Sequence, residues 1–286
     1  MDWRRQQELV KLAALNAERV RLSAGIQPSA PVDPVDIAIK CGCEVRFLSL
    51  PSLEGVYSTV PRPTIVMGSE RPAGRRAYTC AHELGHHIFK HGTRIEDLNS
   101  QKQNSSKPEE EFLADAFAGF LLMSQTSVVR ALKDRNWSAT TLHPEQAYRL
   151  ANFFGVGYGT IINHMELSLK ILPAEIAKKL KKILPKQIKA QYGSEANSEA
   201  VLLDYHWNHR AVDLEIGDIL VLPPKASSES GNKMKLITDS SDYLIYKATN
   251  SGCTRAFCLE HDWAVNVRIS HKNYVGLAQY RFLEES

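Results

Sequence analysis

The sequence lacks long apolar runs. None approaches the ~18–20 consecutive apolar residues that a bilayer-spanning helix needs, so no membrane span is predicted. The opening residues Met1-Asp2-Trp3-Arg4-Arg5 carry no apolar stretch of the kind a secretory signal uses. Cysteine is sparse: Cys41, Cys43, Cys80, Cys253 and Cys258 are an odd, scattered set, which fits reduced thiols in a cytoplasm and argues against a disulfide framework. Charge of either sign is not in excess, since 35 basic against 32 acidic side chains leave +3, too little to imply nucleic acid as a partner. With 43% hydrophobic and 23% charged residues the chain is neither disordered, collagenous nor a coiled coil. Its 286 residues suffice for about two domains with buried cores, at roughly 100–200 residues each.

Periodicity predicts an amphipathic helix over residues 2–23, with Leu9, Leu12, Leu15 and Val20 on its apolar side and Gly25 as its stop. Asp33-Pro34 reads as an N-cap followed by a first-turn proline. Three strands follow, at 45–47, 55–60 and 64–67, the last two separated by the Pro61-Arg62-Pro63 turn. A helix is expected from about Ala73 to Lys90, then an aperiodic polar stretch, Gly92 to Lys107, long enough for a lid or loop. Ser106-Lys107-Pro108-Glu109 fits a capping box opening a helix that runs to about Met123. Shorter helices are expected near 126–135, 144–153 and 158–169, a lysine-rich connector over 171–192, and short β-rich runs from about 200 to the end.

The informative segment is Thr79-Cys80-Ala81-His82-Glu83-Leu84-Gly85-His86-His87. On a helix, residues four apart share a face with Cβ atoms ~5–6 Å apart, so His82 and His86 can both reach one zinc. Glu83, one step round the helix, can address a water beside the metal and act as general base. Gly85 lowers helix stability by about 1 kcal/mol relative to alanine, which suggests a packing reason for it. Two histidines do not hold a catalytic metal, and the helix around Glu111 and Asp115 offers the missing acid. An acid on that face would complete the site, and Asp115 could orient a histidine N–H from behind. Glu109 and Glu110 are explained as first-turn charges complementing the helix dipole.

These residues resemble the ImmA/IrrE family of bacterial metallopeptidases over roughly residues 8–170. The resemblance rests on Gly55-x-Tyr57, on Arg76-x-Tyr78-Thr79-x-Ala81-His82-Glu83-Leu84-Gly85-His86, and on Glu111-x-x-Ala114-Asp115-x-Phe117-Ala118-x-x-Leu121-Leu122-Met123. It departs at Ser124, where proline usually follows Leu-Leu-Met. The resemblance implies that Glu111 is the third metal ligand. It also implies a zincin-like fold and cleavage of a partner repressor with a helix-turn-helix domain, inducing stress-response or mobile-element genes. Manganese or iron could replace zinc on two imidazoles and a carboxylate. Tyr57 and Tyr78 are candidates for transition-state or substrate contact, with partly buried packing the competing account. One of the strands at 55–60 and 64–67 is expected to be the sheet edge that pairs with extended substrate. His87 and His91 lie on a rotated face and read as exposed or supporting residues, not as a second site.

Leu150-Ala151-x-x-x-Gly155-Val156-x-x-x-x-Ile161 matches a helix-turn-helix pattern, but residues 157–169 offer no arginine or lysine for DNA readout. Packing or partner docking is therefore expected there, and direct DNA binding is disfavoured. The seven lysines between 170 and 189 read as the solvated face of a packed helix. The expected fold class is α+β: a zincin-like metalloprotease domain (1–125), a helix-turn-helix-like unit (126–170), a basic helical connector (171–192) and a β-rich C-terminal domain (193–286). The rival is a DNA- or partner-binding regulator with a structural metal.

Overall fold

A computed structural model describes residues 1–97, 108–195, 198–208, 210–229 and 231–283. In chain order the elements begin α1 (Trp3–Ser23), α2 (Pro34–Lys40), β1 (Glu44–Leu48), β2 (Leu53–Ser58), β3 (Thr64–Gly68), α3 (Ala73–Phe89), β4 (Arg94–Asp97) and α4 (Glu109–Leu122). The helices α5 (Gln125–Asp134), α6 (Pro144–Phe154), α7 (Tyr158–Asn163), α8 (Ala174–Lys181) and α9 (Pro185–Ala190) follow. Strands then take over: β5 (Ala200–Leu202), β6 (Val212–Glu215), β7 (Ile219–Leu222), β8 (Ser227–Ser228), β9 (Met234–Asp239), β10 (Leu244–Ala248), β11 (Gly252–Cys258), β12 (Trp263–Ser270) and β13 (Gly276–Leu277). The class is α+β. The chain divides into two compact units, one of Met1–Arg130, Phe154–Val156 and Asn273–Gln279, the other of Ala131–Phe153, Gly157–Lys272 and Tyr280–Ser286.

In the first unit a five-stranded sheet has the order β13-β1-β3-β2-β4. β1 and β3 run parallel, whereas β2 is antiparallel to both β3 and β4. Neither strand expected at the edge is there: β3 lies between β1 and β2, and β2 lies between β3 and β4. The edges are β13 and β4, and β4 is drawn from the stretch expected to be a loop, too short and charged to show a strand period. The rest of that stretch, 98–107, lies outside the described residues. β13 pairs antiparallel with β1, matching Phe47 to Gly276, so this late β run joins the first unit's sheet.

Val45, Phe47, Tyr57, Ile65 and Met67 are buried on the sheet. α3 packs across β2 and β3 and also against α4, and α4 packs against α1. On α1 the buried face is Leu9, Ala13, Ala17, Val20 and Arg21, whereas Leu12 and Leu15 are exposed. The expected leucine stripe is corrected because small alanines let α1 approach α4 closely. Arg21 is fully buried and donates to the carbonyl oxygens of Leu121 (2.7 Å) and Ala30 (2.5 Å). It thereby satisfies a carbonyl at the C-terminus of α4 that no helical N–H can reach.

Asp33 caps α2, its carboxylate accepting from Val35 N–H at 2.9 Å. α4 instead opens on Pro108 with no side-chain cap, which replaces the expected capping box; the Glu109 carboxylate pairs with Arg5 at 2.7 Å. Ser106 lies outside the described residues. Ser124 accepts from Ser127 N–H at 3.2 Å and so supplies a cap to α5 where the family pattern has proline. The segment Glu109–Asp134, which spans α4 and α5, has the length and mean hydropathy of a membrane span, but 61% of its apolar window is buried inside the protein, as in a core segment.

The second unit contains two four-stranded sheets, β5-β7-β10-β9 and β6-β12-β11-β8. Tyr148 donates to Ala200 O (2.8 Å), Arg149 donates to Leu203 O (2.7 Å), and Asn152 accepts from Leu202 N–H (2.9 Å). The polar face of α6 is thus bonded to the β5 segment. α7 buries Tyr158, Ile161 and Ile162 and runs into a π-helical turn, His164–Ser168.

Candidate metal centre

α3 and α4 cross closely because Gly85 and Ala114 meet. A Cβ on Gly85 would lie 3.1 Å from Ala114 Cα and 3.2 Å from Phe117 Cδ1. The unfavourable helix propensity of this glycine is offset by the approach it permits. On the same stretch of α3, His82 and His86 are nearly fully buried (2% and 1% exposed), with Leu84 and Cys80 in the core around them.

The contact brings the first turn of α4 over the two imidazoles. His82 Nε2 lies 3.1 Å from His86 Nε2 and 3.3 Å from Glu111 Oε2, and His86 Nε2 lies 3.5 Å from Glu111 Oε1. Ligands at about 2.0–2.1 Å from a tetrahedral zinc are about 3.3 Å apart, so this triangle has the size that one ion requires. His82, His86 and Glu111 form a group that could hold a metal ion. Hydrogen bonds from His82 and His86, more than their charge, hold the Glu111 carboxyl well below the usual carboxylate range. A carboxylate that stays ionised remains an available donor.

Both rings have outer partners. His82 Nδ1 lies 2.9 Å from Asp115 Oδ1, one helical turn beyond Glu111 on α4. His86 Nδ1 lies 2.9 Å from His91 Nδ1. Nitrogens held from behind leave both Nε2 atoms facing the carboxylate, which is how metal-binding histidines are oriented.

Glu83 is 1% exposed and faces β2. A Cβ on Gly55 would lie 2.5 Å from Glu83 Oε1 and 2.5 Å from Thr79 Cγ2, so only a residue without a side chain leaves this carboxylate its place. Next to that glycine, Glu54 is buried and paired with Arg75 of α3 at 2.9 Å and with Arg71 at 3.5 Å, which ties β2 to the start of the helix. Sequence reading passed over Glu54; its signal was one acid just before Gly55-Val56-Tyr57.

The tyrosines are engaged elsewhere in the packing. Tyr78 donates to the backbone carbonyl of Asp115 at 3.1 Å, bracing α3 against α4. Tyr57 is buried, and its hydroxyl lies 2.8 Å from His87 Nδ1. The structure thus brings together His82, His86, Glu111 and Asp115, sets Glu83 beside Gly55, and gives Tyr57 and Tyr78 partners in the surrounding wall.

Two imidazoles and a carboxylate on two crossed helices, each ring with an outer partner, form a group that could hold one metal ion. Residues 39–166 match the family model of the IrrE N-terminal-like domain (Peptidase_M78), so the segment holding every residue of this centre is a domain of that peptidase family. The match begins within α2 and ends before α8, leaving α1 and residues 167–286 outside it. No curated protein matches the chain.

Proposed function

We propose that this chain is a zinc-dependent endopeptidase with a zincin-like arrangement, in which His82, His86 and Glu111 hold the metal and Glu83 is the general base. Its substrate is a partner repressor with a helix-turn-helix domain, whose cleavage in the cytoplasm induces stress-response or mobile-element genes. The observation that carries the reading is the 3.1, 3.3 and 3.5 Å donor triangle. His82, His86 and Glu111 would hold the zinc, which when bound would supply an acidified water, with a pKa of about 7, and polarisation of the scissile carbonyl; manganese or iron would suit the same donors.

The chain's own groups supply the rest. Glu83 accepts the proton of the attacking water on a carboxylate oxygen and passes it to the nitrogen of the leaving amine. Asp115 keeps the His82 ring oriented. An extended peptide adds along the outer edge of β4, where main-chain groups supply affinity without demanding one sequence. The helix-turn-helix-like unit serves partner docking and not base reading: Ile161 and Ile162 of α7 are buried, and the polar side of α6 is bonded to the β5 segment. A structural zinc is usually closed by four protein ligands, whereas among the described residues three converge here, which favours catalysis over the rival reading of a binding protein.

The test is co-expression with a repressor-like protein encoded beside this one. Glu83→Gln should bind zinc like the wild type and leave the repressor intact, and Glu111→Ala should lose the metal. Undiminished cleavage by Glu83→Gln would reject the assigned base, and unchanged zinc content in Glu111→Ala would move the third ligand elsewhere. A retardation assay at rising salt should show no sequence-dependent DNA complex.

A further inference from the structure

The turn that ends α3 places a second imidazole behind His86. Lys90 has φ +58, its N–H bonds to His87 O at 3.2 Å, and the next N–H, from His91, reaches back to His86 O at 3.0 Å. These are the paired bonds of a Schellman motif, with lysine in the left-handed position that glycine usually fills. The reversal lays His91 over the last turn of the helix, with the His86 and His91 ring centroids 5.1 Å apart and their Nδ1 atoms separated by 2.9 Å. In most Schellman motifs these two positions touch through apolar side chains; here a hydrogen bond between imidazoles joins them. The His91 ring stacks on Phe89 at 5.7 Å, and Phe89 meets Phe117 of α4 edge-on at 5.7 Å, so the acceptor is packed in place.

The geometry points to His91 as a positioning residue for His86, delivered by the helix cap. The inference rests on the zinc reading above. An imidazole that binds zinc through Nε2 carries its hydrogen on Nδ1, so His86 donates across the 2.9 Å contact and His91 Nδ1 accepts. The hydrogen of His91 then sits on its own Nε2. Remove the acceptor, and His86 is free to rotate or to take the tautomer whose Nε2 hydrogen faces the metal position. His82 is held in the same way by Asp115, but by an anion. The two ligands are therefore backed by acceptors of different charge, and His91 fixes geometry without adding negative charge to the centre.

The test measures the zinc affinity of the full chain by competition with a chromophoric chelator, together with the absorption spectrum of the cobalt-substituted protein. His91→Leu should weaken zinc binding by about 10–100-fold and alter the cobalt bands, whereas His91→Asn, whose Oδ1 falls where the histidine Nδ1 lies, should stay within about threefold of the wild type. His91→Phe keeps the stack on Phe89 and gives the same comparison should leucine disturb the turn. Wild-type affinity in the leucine or phenylalanine variant would overturn the role of His91, as would an asparagine variant that loses as much as leucine. A wild-type chain that binds no zinc would sink the metal assignment itself, and this role with it.

Discussion

At Gly55 a methyl group would lie 2.5 Å from the Glu83 carboxylate and 2.5 Å from the Thr79 methyl, a closeness that real Cβ atoms do not tolerate. Gly55→Ala should therefore displace Glu83 while leaving His82, His86 and Glu111 in place. The expected outcome is zinc content like that of the wild type with peptide hydrolysis reduced by about 100-fold or more, the range a misplaced general base gives. Parallel assays of metal content and turnover check it, and full turnover would show that the carboxylate does not act from this position. Gly85 works by a different margin. Its neighbours at 3.1–3.3 Å need give only a few tenths of an ångström, so the position governs how near α4 sits and not whether one group fits.

α3 carries His82, Glu83 and His86, and α4 carries Glu111 and Asp115, so the site depends on how two elements meet. α4 is held from its other side by α1, and Arg21 is a buried polar part of that contact, bonded to Leu121 O and Ala30 O with no exposure to water. Arg21→Met keeps much of the volume and leaves buried carbonyls without a donor. Each such carbonyl costs about 1–3 kcal/mol, so a loss on the order of 2–4 kcal/mol is expected. Urea denaturation followed by far-ultraviolet circular dichroism measures it, and an unchanged midpoint would mean that the contact stabilises nothing. Amphipathic spacing on α1 did not reveal this arginine, because a period marks which residues are apolar and cannot show a charged side chain reaching helix-terminal carbonyls.

At the scale of the whole molecule, the second of the two units holds a buried carboxyl whose titration bears on stability. In the second, Asp218 is buried, and each of its carboxylate oxygens accepts a backbone N–H, from Glu199 and from Glu215, both at 2.8 Å. Burial, as the largest influence, pushes its carboxyl up to about 6 from the ordinary 3.8. Between those values the folded unit binds more protons at this group than the unfolded chain does. Its contribution therefore makes the unit more stable as pH falls from above 6 towards 4. Asp218→Asn should remove that part of the pH dependence. Trp207 and Trp263 are buried in this unit, so the tryptophan fluorescence of urea titrations at several pH values reports it. An identical pH profile in the two proteins would reject the assignment.

The shared face of His82 and His86 was readable from the sequence because an α-helix repeats every 3.6 residues, and four-residue spacing alone puts two rings on one side. The Asp33 cap and the strands around 45–47 and 64–67 were legible for the same local reason: hydrogen bonds and side-chain alternation within a few residues fix them. Spacing by itself left the third donor among the acids of a second helix, and the 3.3 and 3.5 Å approach of Glu111 depends on Gly85 and Ala114 touching across 29 positions of chain. The edge position of β4, the return of β13 to the first sheet and the buried Arg21 are likewise products of tertiary structure. They follow from which surfaces meet, and pairings between distant segments leave no period in the local sequence to read.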